Sequence, residues 1–139
     1  MDVMALIHER LSADLPLAAL LSDYRGQPAV FSEAVPPDAE PPWILIEGVA
    51  ADVPQDARGL RLRELRLALR CFDATGAGSG RLEAVAARAR TLLHDGELMA
   101  PAAALLAQTC HGPTRVRSER GFLERRLELR LLLNETEEA

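Results

Sequence analysis

Leucine falls on every second residue from Leu127 to Leu133, with Glu128 and Arg130 between the first of them. A period of two sends successive side chains to opposite faces of a strand. Residues 60–71 repeat the pattern as Leu60-Arg61-Leu62-Arg63, then Leu65-Arg66-Leu67-Ala68-Leu69-Arg70-Cys71. The phase slips once, at Glu64, and a β-bulge near Arg63 and Glu64 is expected to restore one apolar face. Two long strands, greasy on one side and charged on the other, imply a sheet whose far side meets water or a partner. If the strands are neighbours, Glu124 and Glu128 come to face Arg61, Arg66 or Arg70, each cross-strand pair contributing about 0.2–1 kcal/mol.

The rest of the chain supplies helices and shorter strands. Apolar residues at 3, 6, 7 and 11 have helical spacing, with Asp2 available as an N-cap. A short second helix is expected over 16–21, because Pro16 suits a first turn and Asp14 stands just before it. Residues 29–31 read as a short strand. The prolines of 34–42 remove donors and exclude helix or central strand, leaving a semi-extended loop. A second strand is expected over 43–49, where Trp43-Ile44-Leu45-Ile46 is dense in β-formers. Residues 50–59, with Pro54, Asp56 and Gly59, read as a polar hairpin connection. After the flexible turn 73–80, Leu82, Val85, Ala86, Ala89, Leu92 and Leu93 form one helical stripe, stopped by Gly96. Ser79 stands as a candidate N-cap. Residues 97–111 are ambiguous: a short helix over 102–107 and a strand over 105–110 both fit. The acidic tail 134–139 is expected to fray. The chain reads as a single domain over 1–139, an α+β fold with a mostly antiparallel sheet of about four to five strands and helices on one face.

Composition excludes several functions. The formal net charge is −5, against the basic excess of a nucleic-acid coat. Hydrophobic residues make up 48% and aromatics only 4%, so leucine and alanine must fill most of the core. All 16 basic residues are arginine. A GC-rich coding bias accounts for that, and arginine forks also pair bidentately with carboxylates. The N-terminus is too polar for a signal peptide, and no apolar run reaches the length of a membrane helix. Cys71 and Cys110 read as small buried hydrophobes.

No catalytic, metal or cofactor motif accompanies the fold. His8, His94 and His111 fall in different elements, none at ligand spacing with another histidine or cysteine. Cys110-His111 lacks any flanking signature of a nucleophile. Gly76-Ala77-Gly78-Ser79-Gly80 lacks the lysine ending of a phosphate loop, and its third dinucleotide glycine would fall on Arg81. The acidic residues Asp52, Asp56, Glu119, Glu124 and Glu128 read as solvated faces.

Taken together, the layout resembles a known family. The carriers are Leu17-Ala18-Ala19-Leu20-Leu21, the proline-rich approach to Pro42-Trp43-Ile44-Leu45-Ile46, and Leu69-Arg70-Cys71-Phe72-Asp73-Ala74 before the helix 82–93. The chain then closes on Gly121-Phe122-Leu123-Glu124-Arg125-Arg126-Leu127-Glu128-Leu129. These segments are similar to the tail completion or tail terminator proteins of long-tailed phages, prophages and gene transfer particles, over roughly residues 3–133. The departure is at 97–111, where Pro101 and an alanine run replace a plain short strand. The resemblance implies a non-enzymatic ring, hexameric in the family, that caps the head-proximal end of the tail tube. It stops tube polymerisation and joins the head connector, and DNA passes through its lumen without specific binding. Self, the major tail tube protein and the connector or stopper are the implied partners. Candidate contacts are Arg61, Arg63, Arg66 and Arg70 on one long strand and Glu124, Arg126, Glu128 and Arg130 on the other, with the 51–59 segment beside them. Another connector component or minor tail protein is the alternative. A small ligand-binding or enzymatic α+β domain, supported only by the glycine loop and Cys110-His111, is the remote one.

Overall fold

The computed structural model describes residues 3–57, 60–94 and 105–134. The chain opens with α1 (Val3–Ser12), which buries Val3, Ile7 and Leu11 one turn apart. Asp14 then caps α2 (Leu15–Leu20), its carboxylate accepting the Leu17 N–H at 3.0 Å. Pro16 occupies the first turn, where a missing N–H costs nothing. Both helices stand within a residue or two of their expected bounds. The expected Asp2 cap lies outside the described residues.

A small hairpin follows, β1 (Asp23–Tyr24) and β2 (Gln27–Pro28). It turns through Arg25 and Gly26, both at positive φ (51° and 85°), the backbone that a two-residue hairpin of native twist requires. Its strands are too short for any periodicity to announce them. Next, β3 (Val30–Ser32) runs parallel to β4 (Trp43–Ala57), with Val30 opposite Ile44, and the 34–42 loop connects them as expected.

β4 corrects the sequence reading. It was expected to end at Val49 and give way to a loop, yet it continues to Ala57. Pro54 and Asp56 are poor strand formers. Past Ile46, however, β4 is paired only with β5 (Leu60–Ala74), and an edge strand tolerates proline. Residues 58 and 59 lie outside the described residues. The irregularity expected at Arg63 and Glu64 is also misplaced. β5 pairs β8 (Phe122–Asn134) without a slip from Leu62↔Asn134 to Ala74↔Phe122. The register shifts lie instead in β4, between Gly48 and Ala50 and between Ala50 and Val53. Positions 60 and 62 therefore belong to the opposite parity class from 65, 67 and 69. The same regular pairing puts Leu123 and Leu127 on one face.

A short 3-10 turn (Thr75–Ala77) leads into α3 (Gly80–His94). Ser79 sits at its N-cap position, the Ser79 carbonyl accepting from the Glu83 N–H at 2.8 Å. Every member of the expected stripe is buried. Two further strands, β6 (Leu105–His111) and β7 (Arg117–Glu119), pair the same edge of β8. The free edge of β8 thus decides for the strand reading of 105–110. Residues 95–104, with Gly96 and Pro101, and residues 135–139 lie outside the described residues. Among the described residues the main sheet has six strands, in the order β3-β4-β5-β8-β6 with β7 beside β8, rather than four or five, and only β3 and β4 are parallel.

Helices α1, α2 and α3 cover one face of this sheet. Their buried residues meet Ile44, Ile46, Leu67, Leu69, Leu127, Leu129 and Leu131 in a core without a single aromatic ring. Cys71 and Cys110 lie in it as buried thiols, and burial pushes the Cys71 pKa up to about 12. On the opposite face Trp43 and Leu45 form a second, smaller core with Ala29, packed by Tyr24, Phe31, Val35, Ala39, Phe72 and Phe122. All five aromatic residues of the chain gather there. Trp43 stands 5.7 Å from Phe72 and 5.2 Å from Phe122, centroid to centroid.

Candidate functional site

Beyond the aromatic cluster, the far face of the sheet is a lattice of arginines and carboxylates. Arg70 stands at its centre, on the middle strand β5. Its Nε donates to Glu124 on β8 at 2.5 Å, and its Nη1 donates to Glu47 on β4 at 3.0 Å. The same guanidinium lies 5.0 Å over the Phe72 ring. The bond to Glu124, then that to Glu47, raises the arginine's pKa, so its charge is permanent. One step along, Glu64 accepts from Arg130 Nε at 2.8 Å and from Arg66 Nε at 3.2 Å. Arg130 chiefly, then Arg66, holds the Glu64 carboxyl below the usual carboxylate range.

Five of the eight expected contact residues are thereby brought into this region: Arg66, Arg70, Glu124, Arg126 and Arg130. Glu128 stands between Ala68 of β5 and His111 of β6, and Arg63 stands opposite Leu133. The side chain of Arg61 falls outside the described residues. Sequence reasoning missed Glu47 and Glu64. Glu64 sits at the phase slip and reads from the sequence as the extra residue of a bulge, and Glu47 lies on a strand whose pairing to β5 no periodicity reports.

At one end the lattice opens into a concavity of ≈ 830 Å³, lined by Arg70, Thr114, Arg115, Arg117, Ser118, Glu124 and Arg126. It owes its shape to the gap between β6 and β7, where the edge of the sheet is interrupted opposite residues 125–127. The intervening loop is stapled to β8. Thr114 N–H donates to the Arg126 carbonyl at 2.9 Å, Arg126 N–H donates to Thr114 Oγ1 at 3.3 Å, and Arg125 Nε donates to the Thr114 carbonyl at 2.9 Å. From behind, Arg90 of α3 donates to the Gly112 carbonyl at 2.8 Å. Gly112 is required here: its φ is +106°, and an added Cβ would stand 2.9 Å from the Arg126 carbonyl oxygen. The loop presents exposed Arg115 and Arg117 beside Arg126. Among the described residues none of these three guanidinium groups enters an ion pair. Sequence reasoning had named only Arg126, because Arg115 and Arg117 lie in a stretch without periodicity.

The remaining polar groups serve the fold. Arg81 grips the fully buried Asp73 carboxylate through Nε and Nη2, both at 2.8 Å, and Arg88 grips Asp14 at 2.8 and 2.7 Å. These forks tie the glycine-rich turn and α2 to α3, and each holds its aspartate below the ordinary range. Strand alternation buries Cys110 while leaving His111 exposed, so the adjacent pair does not converge as a dyad. His8 Nε2 lies 2.8 Å from the Val30 carbonyl.

Comparison with known proteins agrees with this architecture. The family model for tail completion protein gp17 matches residues 5–131. The fold is shared with a chain in the solved virion of a native gene transfer agent particle, with a TM-score of 0.73 at 20% identity over 95% of this chain and 94% of that one. No match was found among curated proteins. The chain belongs to the tail completion protein family, structural proteins of phage-type particles that serve tail assembly.

Proposed function

We propose that this tail completion protein assembles as a ring, of six copies, at the head-proximal end of the tail tube. There it ends tube polymerisation and joins the tail to the head connector. The observation that carries the reading is the far face of the sheet. Helices seal the opposite face, whereas here an arginine–carboxylate lattice and an open arginine-lined concavity stand on three long paired strands. Such a surface suits docking against copies of the chain and against tube protein, with Arg66, Arg126, Glu128 and Arg130 as contacts. Arg61 and Arg63, which share the parity of Leu65 and Leu67, would make theirs from the other side of β5. A sheet with open edges also gains from neighbours that cover them. The overall negative charge suits a lumen through which DNA passes without being gripped.

Tail length tests the reading. Particles made without this protein should carry overlong or unjoined tails under the electron microscope, and normal tails would overturn the assignment. Light scattering of the purified chain with tube protein should report a closed oligomer; a stopper or other connector component would instead leave tube length unchanged and abolish joining alone.

A further inference from the structure

We propose that the arginine concavity of one copy receives the acidic segment 135–138 of a second copy, locking neighbours head to tail. The inference deepens the ring reading and rests on its premise that copies associate. Complementarity carries it. Arg115, Arg117 and Arg126 line the concavity without a partnering carboxylate among the described residues, whereas Arg70 is already balanced by Glu47 and Glu124. The segment 135–138 offers Glu135, Glu137 and Glu138, three carboxylates within four residues. Thr114 and Ser118 add hydroxyls on the concavity's wall that can meet a peptide backbone.

Reach decides which copy supplies the segment. Glu124 in the concavity and Asn134 at the end of β8 are ten residues apart on one continuous strand, about 34 Å at ~3.4 Å per residue. Residues 135–138 extend at most ~14 Å beyond that end. The segment 135–138 therefore falls short of the concavity of its own chain but can enter a neighbour's. The contact joins two different patches, one at each end of β8. Such heterologous contacts generate rings when the rotation closes.

A labelled peptide of sequence Asn134-Glu135-Thr136-Glu137-Glu138-Ala139 tests this. The receptor is the full chain carrying E135Q, E137Q and E138Q, which leaves the concavity untouched and removes the competing segment. Fluorescence anisotropy should report saturable binding that weakens with salt, and at least ~10-fold weaker binding once R115Q and R117Q are added. Both arginines are exposed, so the urea midpoint should not move. No binding, or binding indifferent to R115Q and R117Q, overturns the inference. So does a DNA oligonucleotide occupying the concavity where the peptide does not. Sedimentation of the unaltered chain beside the one carrying E135Q, E137Q and E138Q separates the two readings. Rings that persist with the three substitutions, together with a silent peptide, refute the tail contact alone. An unaltered chain that stays monomeric with tube protein refutes the ring itself.

Discussion

The two faces of the central sheet are built from the same three long strands by different chemistry. Against the helices, Leu67, Leu69, Leu127, Leu129 and Leu131 meet Leu82, Val85 and Leu93 in a buried aliphatic layer. On the other side the same strands carry Phe72, Phe122 and the Arg70, Glu47, Glu124, Glu64 and Arg130 lattice. A buried leucine contributes about 1.5–3 kcal/mol by leaving water. A partly exposed arginine–carboxylate pair contributes about 0–1 kcal/mol. The helix face therefore carries stability, and the far face is the one we propose for orientation and recognition. The fixed positions of its charges matter more than their energy.

The comparison breaks most easily at its strong side. Leu129→Ala should lower unfolding free energy by about 2–5 kcal/mol, since Leu129 is fully buried and the cavity cannot collapse freely. Urea titration can follow it by Trp43 fluorescence, the single tryptophan reporting from the opposite core. A loss under ~1 kcal/mol would dissolve the distinction between faces. Gly112→Ala should cost about 1–3 kcal/mol through strain at positive φ and the clash with the Arg126 carbonyl. It should also weaken peptide capture at the concavity more than Leu129→Ala does.

Asp73→Asn sharpens the comparison by pH. Arg81 holds the Asp73 carboxyl below its ordinary 3.8, so the folded pKa is depressed. Its contribution is then full above 3.8 and is lost as pH falls through the lower folded value. The variant should be about 1–2 kcal/mol less stable than the parent near pH 7, from weakened charge-assisted bonds. Urea midpoints of the two should converge as the pH drops below 3.8, and a gap independent of pH would refute the role given to the Asp73 charge. The smallest effect belongs to the far face. Arg70→Met removes the charge but keeps an unbranched apolar side chain, and should cost no more than about 1 kcal/mol, while impairing assembly. A large stability loss with unimpaired assembly would invert the roles assigned to the faces.

Legibility followed the length of each pattern. The stripe from Leu82 to Leu93, the alternation of residues 127–133 and the cap at Asp14 could be read because each repeats over several residues or obeys a local rule. The hairpin at Arg25 and Gly26 and the strand Arg117–Glu119 were invisible, being too short to repeat. Pro54 concealed the outer half of β4, because its fitness for a strand depends on whether the neighbouring edge is occupied. Glu64 was misjudged for a similar reason. Its phase slip looked like a bulge, whereas β5 stays regular and β4 accommodates the extra residues. Of the concavity only Arg70, Glu124 and Arg126 were foreseen. Arg115 and Arg117 reach it because loop 112–116 is pinned to β8 by contacts 11 or 12 residues away in sequence.

The sequence alone determined the two-faced strands, the helix that seals one face and the aliphatic character of the main core, because periodicity and composition are local properties. It also carried the family, through the layout of segments along the chain. Tertiary structure decided which strands are neighbours, and so which carboxylate meets which arginine: Arg70 finds Glu47 23 residues away and Glu124 54 away. It likewise drew the five scattered aromatic residues into one cluster and left a gap at the sheet edge where the arginines converge. Both outcomes depend on register between distant segments, a quantity set by the whole packing and by no single stretch of chain.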